Sequence, residues 1–207
     1  MRQRRARDAD CFRPGAARQR GDDRLRAGHD QAQEPGNVPG PVVSDLLPPE
    51  IVALALRVVG ENARHGRRVA TAESCTGGLV AAALTEIPGS SAVLDRGFVT
   101  YSNEAKREDL DVPNEIIETF GAVSIACVWA MAQGALKNSN ADVAVAISGI
   151  AGPDGGSPSK PVGTVVFARA RRGDDGEPEG EMRHFDGGSR SEVRRQATLV
   201  ALELLLP

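Results

Sequence analysis

The order of apolar and polar residues changes along the chain, and each change marks a strand or a helix. Residues 141–147 form a continuous apolar run, which is typical of a central strand buried on both faces of a sheet. Shorter β-like runs precede and follow it. The pattern predicts strands at residues 68–72, 97–101, 141–147, 164–170 and 182–185.

Other segments carry apolar residues at the spacing of an amphipathic helix. The first follows the Pro-Pro-Glu of residues 48–50, a helix-start signal, and repeats apolar side chains such as Ile51 and Ala55. Ser102 is placed to cap a helix that holds Lys106. Further helices are predicted at residues 79–86, from 124 to about 138, and from about 190 to 205, while the first ends near residue 64.

The alternation of strands with helices predicts an α/β fold layered around one sheet. Residues 171–181, between the last two strands, are rich in charge and show no helical period. We therefore expect a hairpin there, with its two strands antiparallel. The connections between the earlier strands do hold helical patterns, so the sheet should be mixed.

The first 45 residues differ from the rest of the chain. They are rich in Arg, Gln, Asp, Gly and Pro and hold almost no aliphatic runs. Such a composition cannot bury enough apolar surface to offset the entropy of folding. We interpret residues 1–45 as a disordered N-terminal extension and residues 46–207 as one domain of ordinary size.

Composition narrows the chemistry that the domain can carry. Hydrophobic residues make up 41% of the chain and aromatic residues only 3%, which favours a core of Ala, Val, Leu and Ile and close packing of helices on the sheet. The three cysteines are odd in number and form no C-x-x-C pair, which argues against a disulfide framework and a zinc site. The three histidines show no ligand spacing, so we expect neither a metal nor a cofactor.

Charge and hydropathy exclude two kinds of partner. The net charge of −3 and the scarcity of aromatic residues argue against a nucleic-acid surface. A membrane span would need a run of about 18 apolar residues, and the sequence contains neither such a run nor a secretory signal segment. We expect a soluble, cytoplasmic protein.

Ser74 lies where a predicted strand meets a predicted helix. Thr76, Gly77 and Gly78 follow it at the mouth of the helix, where unpaired N–H groups and the positive end of the dipole gather. An oxyanion formed beside a Ser74 nucleophile would be stabilised there. The alternative is that Ser74 or Thr76 only caps the helix, and we interpret Glu73 as a solvated acid at the end of the strand.

Tyr101 and Lys106 are a second pair of candidates. Tyr101 is the only tyrosine of the chain, and Lys106 follows it in the opening turn of a predicted helix. A lysine acts as a general base only if its pKa falls, and burial together with a helix N-terminus lowers it. Such an amine can deprotonate Ser74. The alternative is a surface lysine beside a tyrosine anchored in the core.

Two later segments are suited to binding an anion. The glycine-rich segment from Ser148 to Gly156 follows the apolar strand and can offer backbone amides to an anion, although it matches neither a P-loop nor a dinucleotide fingerprint. Arg190 opens the last predicted helix and has the donor geometry for a phosphate. A flexible loop and a surface arginine are the corresponding alternatives.

Six short blocks of the sequence form one ordered pattern. They are TAESCTGG at residues 71–78, PGSS at 88–91, VTYSNEAK at 99–106, GAVS at 121–124, GIAGPDGG at 149–156 and KPVGTV at 160–165. In this order and spacing they resemble the CinA C-terminal domain family, the nicotinamide-nucleotide amidohydrolases. The resemblance covers roughly residues 47–205 and does not extend to residues 1–45.

The resemblance implies a fold, a reaction and a set of site residues. The fold would be a three-layer α/β/α sandwich with a mixed, mostly parallel sheet. The chain would be an enzyme that converts nicotinamide mononucleotide and water to nicotinic acid mononucleotide and ammonia, in pyridine nucleotide (NAD) salvage. Ser74 aligns with the nucleophile, and Tyr101 and Lys106 align with its catalytic partners. Substrate contacts are expected at Thr76, Gly77, Gly78, Ser90, Ser91, Gly149, Ala151, Gly152 and Arg190.

The expected mechanism is acyl transfer without a metal. Ser74 attacks the carboxamide carbon, backbone amides near residues 76–78 hold the oxyanion, and Lys106 with Tyr101 moves protons. The expected partners are the nucleotide substrate and a second copy of the chain in a homodimer. Two alternatives stay open: a non-catalytic nucleotide-binding regulatory module linked to competence or DNA damage, and an amidase for another carboxamide.

Overall fold

The computed structural model describes residues 46–174, 179–186 and 188–207. The predicted extension at residues 1–45 lies outside this part of the chain, and its disorder stays a prediction. None of the helices within these ranges is long and apolar enough to cross a membrane. The helices described are α1 (Pro49–Arg64), α2 (Leu79–Thr85), α3 (Asn103–Leu110), α4 (Asn114–Phe120), α5 (Ile125–Lys137) and α6 (Arg190–Leu204).

One mixed sheet forms the centre of the fold. Its described strands are β1 (Val69–Glu73), β2 (Leu94–Val99), β3 (Val143–Gly149), β4 (Thr164–Arg171) and β5 (Glu179–His184). They lie in the order β2-β1-β3-β4-β5, with β1 parallel to β2 and β3, and β4 antiparallel to β3 and β5. Among these strands β4 alone opposes the common direction, which confirms the expected mixed, mostly parallel sheet.

Helices cover both faces of the sheet and complete three layers. Helices α1, α2 and α6 pack on one face, and α3, α4 and α5 pack on the other. The alternation along β3 separates the two cores, because Val145 and Ile147 face the first layer and Ala144 and Ala146 face the second. The small alanines let α5 approach the sheet closely, as the low aromatic content predicts.

Close packing also holds α3, the helix that carries Lys106. The end of α3 rests on α5 at Gly134, where a Cβ atom would overlap the Leu110 carbonyl group. A larger residue at this position would push α3 away from α5. Gly134 therefore helps to fix the position of Lys106.

Three elements differ from the sequence prediction. Strand β2 spans Leu94–Val99 rather than residues 97–101; it ends early because the chain leaves the sheet after Thr100 and turns its carbonyl groups inward. Strand β5 begins at Glu179, inside the predicted loop, since an edge strand can keep charged side chains exposed. The sequence does not predict helix α4, because its 7 residues bury only Ile117 and show no clear apolar period.

The topology determines where a site can form. The carboxyl ends of β1, β2 and β3 lie at one edge of the sheet, and open α/β sheets bind ligands outside the carboxyl ends of their strands. Ser74 directly follows β1, Tyr101 follows β2 and Ser148 lies near the end of β3. Three segments that are distant in sequence therefore meet at this edge.

Candidate active site

A pocket of about 200 Å³ lies beside Ser74 at the carboxyl edge of the sheet. Ser74 is 8% exposed, and its backbone N–H donates to the Ile147 carbonyl group of β3 at 2.9 Å. This bond joins the end of β1 to β3 and fixes the backbone of Ser74. The walls of the pocket include Ser74, Cys75, Tyr101, Lys106, Gly149, Ala151 and Arg190.

Lys106 is buried within this pocket, with its residue surface only 1% exposed. Its Nζ atom lies 3.2 Å from Ser74 Oγ and 2.8 Å from the Thr100 carbonyl oxygen. The carbonyl oxygens of Tyr101 and Ser102 each lie 3.4 Å from Nζ. Lys106 is therefore not a surface lysine, and the structure brings together the residues that the sequence nominates as nucleophile and base.

The surroundings of Lys106 favour the neutral amine. Burial lowers the pKa of Lys106, and the smaller opposing effects of Cys127 and Cys75 do not cancel this shift. No ion pair to Lys106 occurs within the described ranges. A neutral amine can donate its two N–H groups to carbonyl oxygens and direct its lone pair to the Ser74 hydroxyl. This arrangement allows Lys106 to accept the Ser74 proton.

Tyr101 lies at the mouth of the pocket and is 61% exposed, so it is not anchored in the core. Its phenolic oxygen accepts a hydrogen bond from Arg190 Nη2 at 2.9 Å. In the described part of the chain the phenol makes no hydrogen bond with Ser74 or Lys106, and only the Tyr101 carbonyl group reaches Nζ. This corrects the expectation that the Tyr101 side chain moves protons at Ser74.

Arg190 holds a positive charge at the mouth of the pocket. Ser189 caps α6 by accepting the Glu192 N–H at 3.2 Å, which places Arg190 in the first turn of the helix. Arg190 Nη1 donates to the Gly152 carbonyl oxygen at 2.9 Å, and no carboxylate pairs with Arg190 in the described ranges. An uncompensated guanidinium beside a helix N-terminus suits a phosphate group.

Glu73 is completely buried, which contradicts its interpretation as a solvated acid. Its carboxylate accepts the backbone N–H groups of Gly78 at 3.0 Å, Val80 at 3.1 Å and Ala81 at 2.9 Å, and the Thr71 hydroxyl at 3.2 Å. The three amides belong to the start of α2, where no intrahelical acceptor exists. Glu73 therefore caps α2 in place of Ser74 or Thr76.

The turn after Ser74 also differs from the prediction that the backbone N–H groups of residues 76–78 are unpaired. The Gly77 N–H donates to the Ser74 carbonyl group at 3.0 Å, and the Gly78 N–H donates to Glu73. Both glycines have positive φ, 61° and 91°, which explains the glycine pair. Thr76 is fully buried, so its side chain does not reach a substrate. The Gly77 and Gly78 N–H groups are therefore not free to bind an oxyanion formed beside Ser74.

Ser90 and Ser91 lie far from the pocket. They belong to a short 3-10 helix before β2, and the Val93 carbonyl group that follows it accepts the Val69 N–H at 2.8 Å, at the amino end of β1. Ser74 lies beyond the opposite end of this strand of 5 residues, roughly 16 Å away at about 3.3 Å per residue. The prediction that either serine contacts a substrate bound at Ser74 of the same chain is therefore wrong.

The glycine-rich loop after β3 is ordered by backbone hydrogen bonds. The Ile150 N–H donates to Thr164, and the Gly163 N–H donates to Ile150, each at 2.8 Å. Gly149 and Ala151 line the pocket as expected. Gly152 is buried, and its carbonyl oxygen accepts a hydrogen bond from Arg190, so it helps to position that side chain.

Sequence reasoning did not nominate several residues that line the pocket. Asn103 is the first residue of α3 and follows its cap, Ser102. Ala122 and Val123 lie within the GAVS block, which is the signal that could have identified them. Ser148, by contrast, begins the glycine-rich segment that the sequence does nominate; it lines the pocket and is 2% exposed. The missed residues cluster next to matched motifs.

The two cysteines of the described residues are buried thiols, and only Cys75 lines the pocket. Cys75 and Cys127 are buried and free. Burial raises the pKa of Cys75 to about 11 and also raises the pKa of Cys127, so both remain protonated at neutral pH. Within the described ranges no group of three or more His, Cys, Asp or Glu side chains could hold a metal ion.

The sequence profile described as the CinA C-terminal domain matches residues 52–207. Nicotinamide-nucleotide amidohydrolase PncC of Escherichia coli (strain K12) is 53% identical over 156 residues, which cover 75% of this chain and 93% of that protein. The CinA-like protein of Akkermansia muciniphila is 50% identical over 161 residues, or 78% of this chain. The chain spans only 38% of the length of that relative, and 35% of a relative from Symbiobacterium thermophilum.

A solved structure has the same fold. The crystal structure of competence/damage inducible protein CihA from Agrobacterium tumefaciens matches with a TM-score of 0.73 and 52% sequence identity. The match covers 77% of this chain and 96% of that one. The three-layer α/β/α arrangement is thus shared with a protein of closely similar sequence.

Proposed function

We propose, from the premise that this chain belongs to the CinA C-terminal domain family, that it is a nicotinamide-nucleotide amidohydrolase. The proposed reaction converts nicotinamide mononucleotide and water to nicotinic acid mononucleotide and ammonia, as a step of pyridine nucleotide (NAD) salvage. The name of the Escherichia coli relative, matched over 93% of its length, supports this substrate. The observation that carries the proposal is the 3.2 Å contact between Lys106 Nζ and Ser74 Oγ in a buried pocket.

The first half of the proposed reaction forms an ester on Ser74. Ser74 Oγ attacks the carboxamide carbon while its proton passes to the neutral amine of Lys106. The resulting tetrahedral intermediate carries its negative charge on the former carbonyl oxygen. Lys106 then returns the proton to the amide nitrogen, the C–N bond breaks, and ammonia leaves.

The second half releases the acid and restores the enzyme. A water molecule gives a proton to Lys106 and attacks the ester carbon. The C–O bond to Ser74 breaks, Ser74 Oγ recovers the proton from Lys106, and nicotinic acid mononucleotide departs. A neutral Lys106 suits both halves, because a charged amine could not accept a proton and would repel the positive pyridinium ring of the substrate.

Tyr101 and Arg190, at the mouth of the pocket, suit a substrate that carries both a positive ring and a negative phosphate. The exposed ring of Tyr101 can lie against the pyridinium, which is a favourable cation–π arrangement. Arg190 can hold the phosphate, since its guanidinium has only neutral partners in the described part of the chain. The Arg190–Tyr101 hydrogen bond would then align both ends of the nucleotide.

A substrate panel tests the proposal by ammonia release. Nicotinamide mononucleotide should be hydrolysed best, and nicotinamide riboside should show a higher KM because it lacks the phosphate. Arg190→Met should raise the KM for the mononucleotide and leave that for the riboside unchanged, whereas Arg195→Met, which removes the ion pairs of Arg195 with Glu50 and Glu192, is the matched control.

Other outcomes of this panel would select the alternatives. Hydrolysis of a different carboxamide, with none of the mononucleotide, would identify an amidase of another specificity. Binding of the mononucleotide without release of ammonia would identify a regulatory module. Either result would contradict the proposed reaction.

The proposal includes a cytoplasmic location and a homodimer. A phosphorylated nucleotide does not cross a lipid bilayer unaided, so an enzyme of its salvage works where the nucleotide is made. Strand β2 is an edge strand of the sheet, and Val99 on it is 51% exposed, which supports a contact with a second copy. Light scattering of the purified chain tests the dimer, and a monomeric mass would contradict it.

A further inference from the structure

Arg194 of α6 is distant in sequence from Ser74 but forms hydrogen bonds with the turn that follows it. Its Nε donates to the Cys75 carbonyl oxygen at 3.1 Å, and its Nη2 donates to the Thr76 carbonyl oxygen at 2.9 Å. No carboxylate pairs with Arg194 in the described ranges. The guanidinium therefore directs a full positive charge onto two peptide groups next to the nucleophile.

The opposite side of the same turn is held by Glu73. The carboxylate binds the Gly78 N–H at 3.0 Å and two further amides of α2. One side chain thus holds N–H groups at the end of the turn, and Arg194 holds carbonyl groups at its start. Together they leave the backbone of residues 75–78 little freedom to rotate.

Two amides of the turn remain without an oxygen acceptor. The N–H groups of Ser74, Gly77 and Gly78 donate to Ile147, Ser74 and Glu73 respectively. Those of Cys75 and Thr76 donate to no oxygen atom of the described residues, and they lie near the Cys75 sulfur, a weak acceptor. These two N–H groups directly follow the nucleophile in sequence.

The contact of Arg194 with Cys75 acts directly on one of these amides. The Cys75 carbonyl and the Thr76 N–H belong to the same peptide group. A positive charge hydrogen bonded to the oxygen draws electron density from the nitrogen and strengthens its N–H as a donor. Because the charge is fixed in place before the reaction, no reorganisation is needed when the oxyanion forms.

We infer that Arg194 is a positioning residue that orients and polarises the Cys75 and Thr76 amides, so that they form the oxyanion hole for Ser74. The inference rests on the proposed acyl transfer at Ser74 but not on the identity of the carboxamide. It assigns the oxyanion to two amides in place of those of Gly77 and Gly78, which have other partners. It also gives a role to an arginine for which the sequence motifs provide none.

The test compares Arg194→Met and Arg194→Lys with Arg195→Met as the matched control on the next residue of α6. With nicotinamide mononucleotide, Arg194→Met should lower kcat by about 10²-fold to 10³-fold and change KM by less than about threefold. Arg194→Lys retains the charge and should recover part of kcat. Arg195→Met should remain within about twofold of the wild type.

Replacing the carboxamide oxygen of the substrate by sulfur distinguishes a loss of oxyanion stabilisation from a loss of folded structure in the variant. The thioamide analogue of the nucleotide places sulfur, a weak acceptor, where the oxyanion forms. The ratio of kcat/KM for amide over thioamide should fall by about tenfold in Arg194→Met. A variant damaged only in its folding would lose both activities together, and an unchanged ratio would overturn the inference even if Arg194→Met is less stable.

A fluorophosphonate probe makes the result independent of the nucleotide. Its reaction with Ser74 also develops charge on an oxygen, and intact mass reports the rate of labelling. Arg194→Met should label at least about tenfold more slowly than wild type, and equal rates would overturn the inference. If the wild type labels rapidly but releases no ammonia from the mononucleotide, the proposed function fails while slower labelling of Arg194→Met still supports the role of Arg194.

Discussion

Two ionisable side chains are buried next to Ser74, and their surroundings are opposite in kind. The Glu73 carboxylate accepts hydrogen bonds from three backbone N–H groups and one hydroxyl. Lys106 lies among carbonyl oxygens and the Ser74 hydroxyl, with no carboxylate paired to it in the described ranges. Both side chains are at most 1% exposed.

This contrast separates a structural charge from a reactive one. A buried carboxylate with every oxygen hydrogen bonded is stable where it lies, and it fixes the groups around it. A buried amine without a counter-charge is stabilised by losing its proton, and the neutral amine is a base. Glu73 therefore fixes the turn that follows Ser74, whereas Lys106 is the base that accepts the Ser74 proton in the proposed mechanism.

Replacement of Lys106 by arginine should cause the largest loss of activity. A guanidinium keeps the positive charge but stays protonated throughout the accessible pH range, so it cannot accept the Ser74 proton. We expect Lys106→Arg to lower the kcat of ammonia release by at least about 10³-fold. Lys137→Arg, an exposed lysine paired with Asp111, is the matched control. An active Lys106→Arg enzyme with a raised KM would instead make Lys106 an anchor for the phosphate.

Replacement of Glu73 by glutamine should reduce stability. The amide group of glutamine would present N–H donors to backbone N–H groups that now share a carboxylate oxygen. We expect the free energy of unfolding in urea to fall by roughly 2–4 kcal/mol, while Glu108→Gln, on an exposed residue of α3, should change it little. Lys106→Met should not lower stability, because it removes an uncompensated buried amine. Equal losses for Glu73→Gln and Lys106→Met would contradict the contrast.

The pH dependence of activity should follow the lowered pKa of Lys106. In the proposed mechanism the neutral amine is the active form, so kcat/KM should rise about tenfold per pH unit below that pKa and level off above it, at a pH below the ordinary lysine value. Rates from about pH 6 to about pH 10 check this, and a profile that is flat at low pH would count against the neutral base.

The same shift has a consequence for stability. Between the lowered pKa of folded Lys106 and the ordinary value near 10.5, the unfolded chain binds one more proton than the folded chain. The free energy of unfolding of the wild type, relative to Lys106→Met, should therefore increase with pH across that window. A relative stability that decreases with pH would show that the pKa of Lys106 is raised instead.

The sequence predicts the fold better than it predicts the surroundings of Glu73 and Lys106. Hydrophobic period and helix caps predict that a helix follows each of the strands β1 and β2 near the site, including the cap at Ser102, which accepts the Ala105 N–H at 3.0 Å. The direction of the strands then brings Ser74 near Lys106. The burial of Glu73 was missed, because an acid at a strand end is usually solvated and its partners are backbone amides that carry no sequence signature.

Long-range backbone contacts explain the other misses. Arg194 binds carbonyl groups that lie 118 and 119 residues away in sequence, and nothing in a run of charged helix residues distinguishes it from Arg195. Ser90 and Ser91 were placed at the site by a shared block, but a block shows membership of a family and not position relative to the pocket. Contacts of this kind follow from the tertiary structure alone.

Removal of the Tyr101 hydroxyl should have the smallest effect. The phenol accepts a hydrogen bond from Arg190 and does not reach Ser74, so Tyr101→Phe should alter kcat by less than about threefold and raise KM by about twofold to fivefold. Tyr101→Ala also removes the aromatic face and should raise KM further. A loss of kcat in Tyr101→Phe comparable to that in Lys106→Arg would make the phenol a proton carrier.

The most direct test of the central claim is the rate of ammonia release from nicotinamide mononucleotide by Ser74→Ala, with Ser90→Ala as its control. We expect Ser74→Ala to lose at least about 10⁴-fold in kcat while its melting temperature stays close to that of the wild type, since the Ser74 hydroxyl caps no helix. Ser90→Ala, at the opposite end of β1, should retain full activity. Release of ammonia by Ser74→Ala at the wild-type rate would contradict a serine nucleophile and, with it, the role assigned to Lys106.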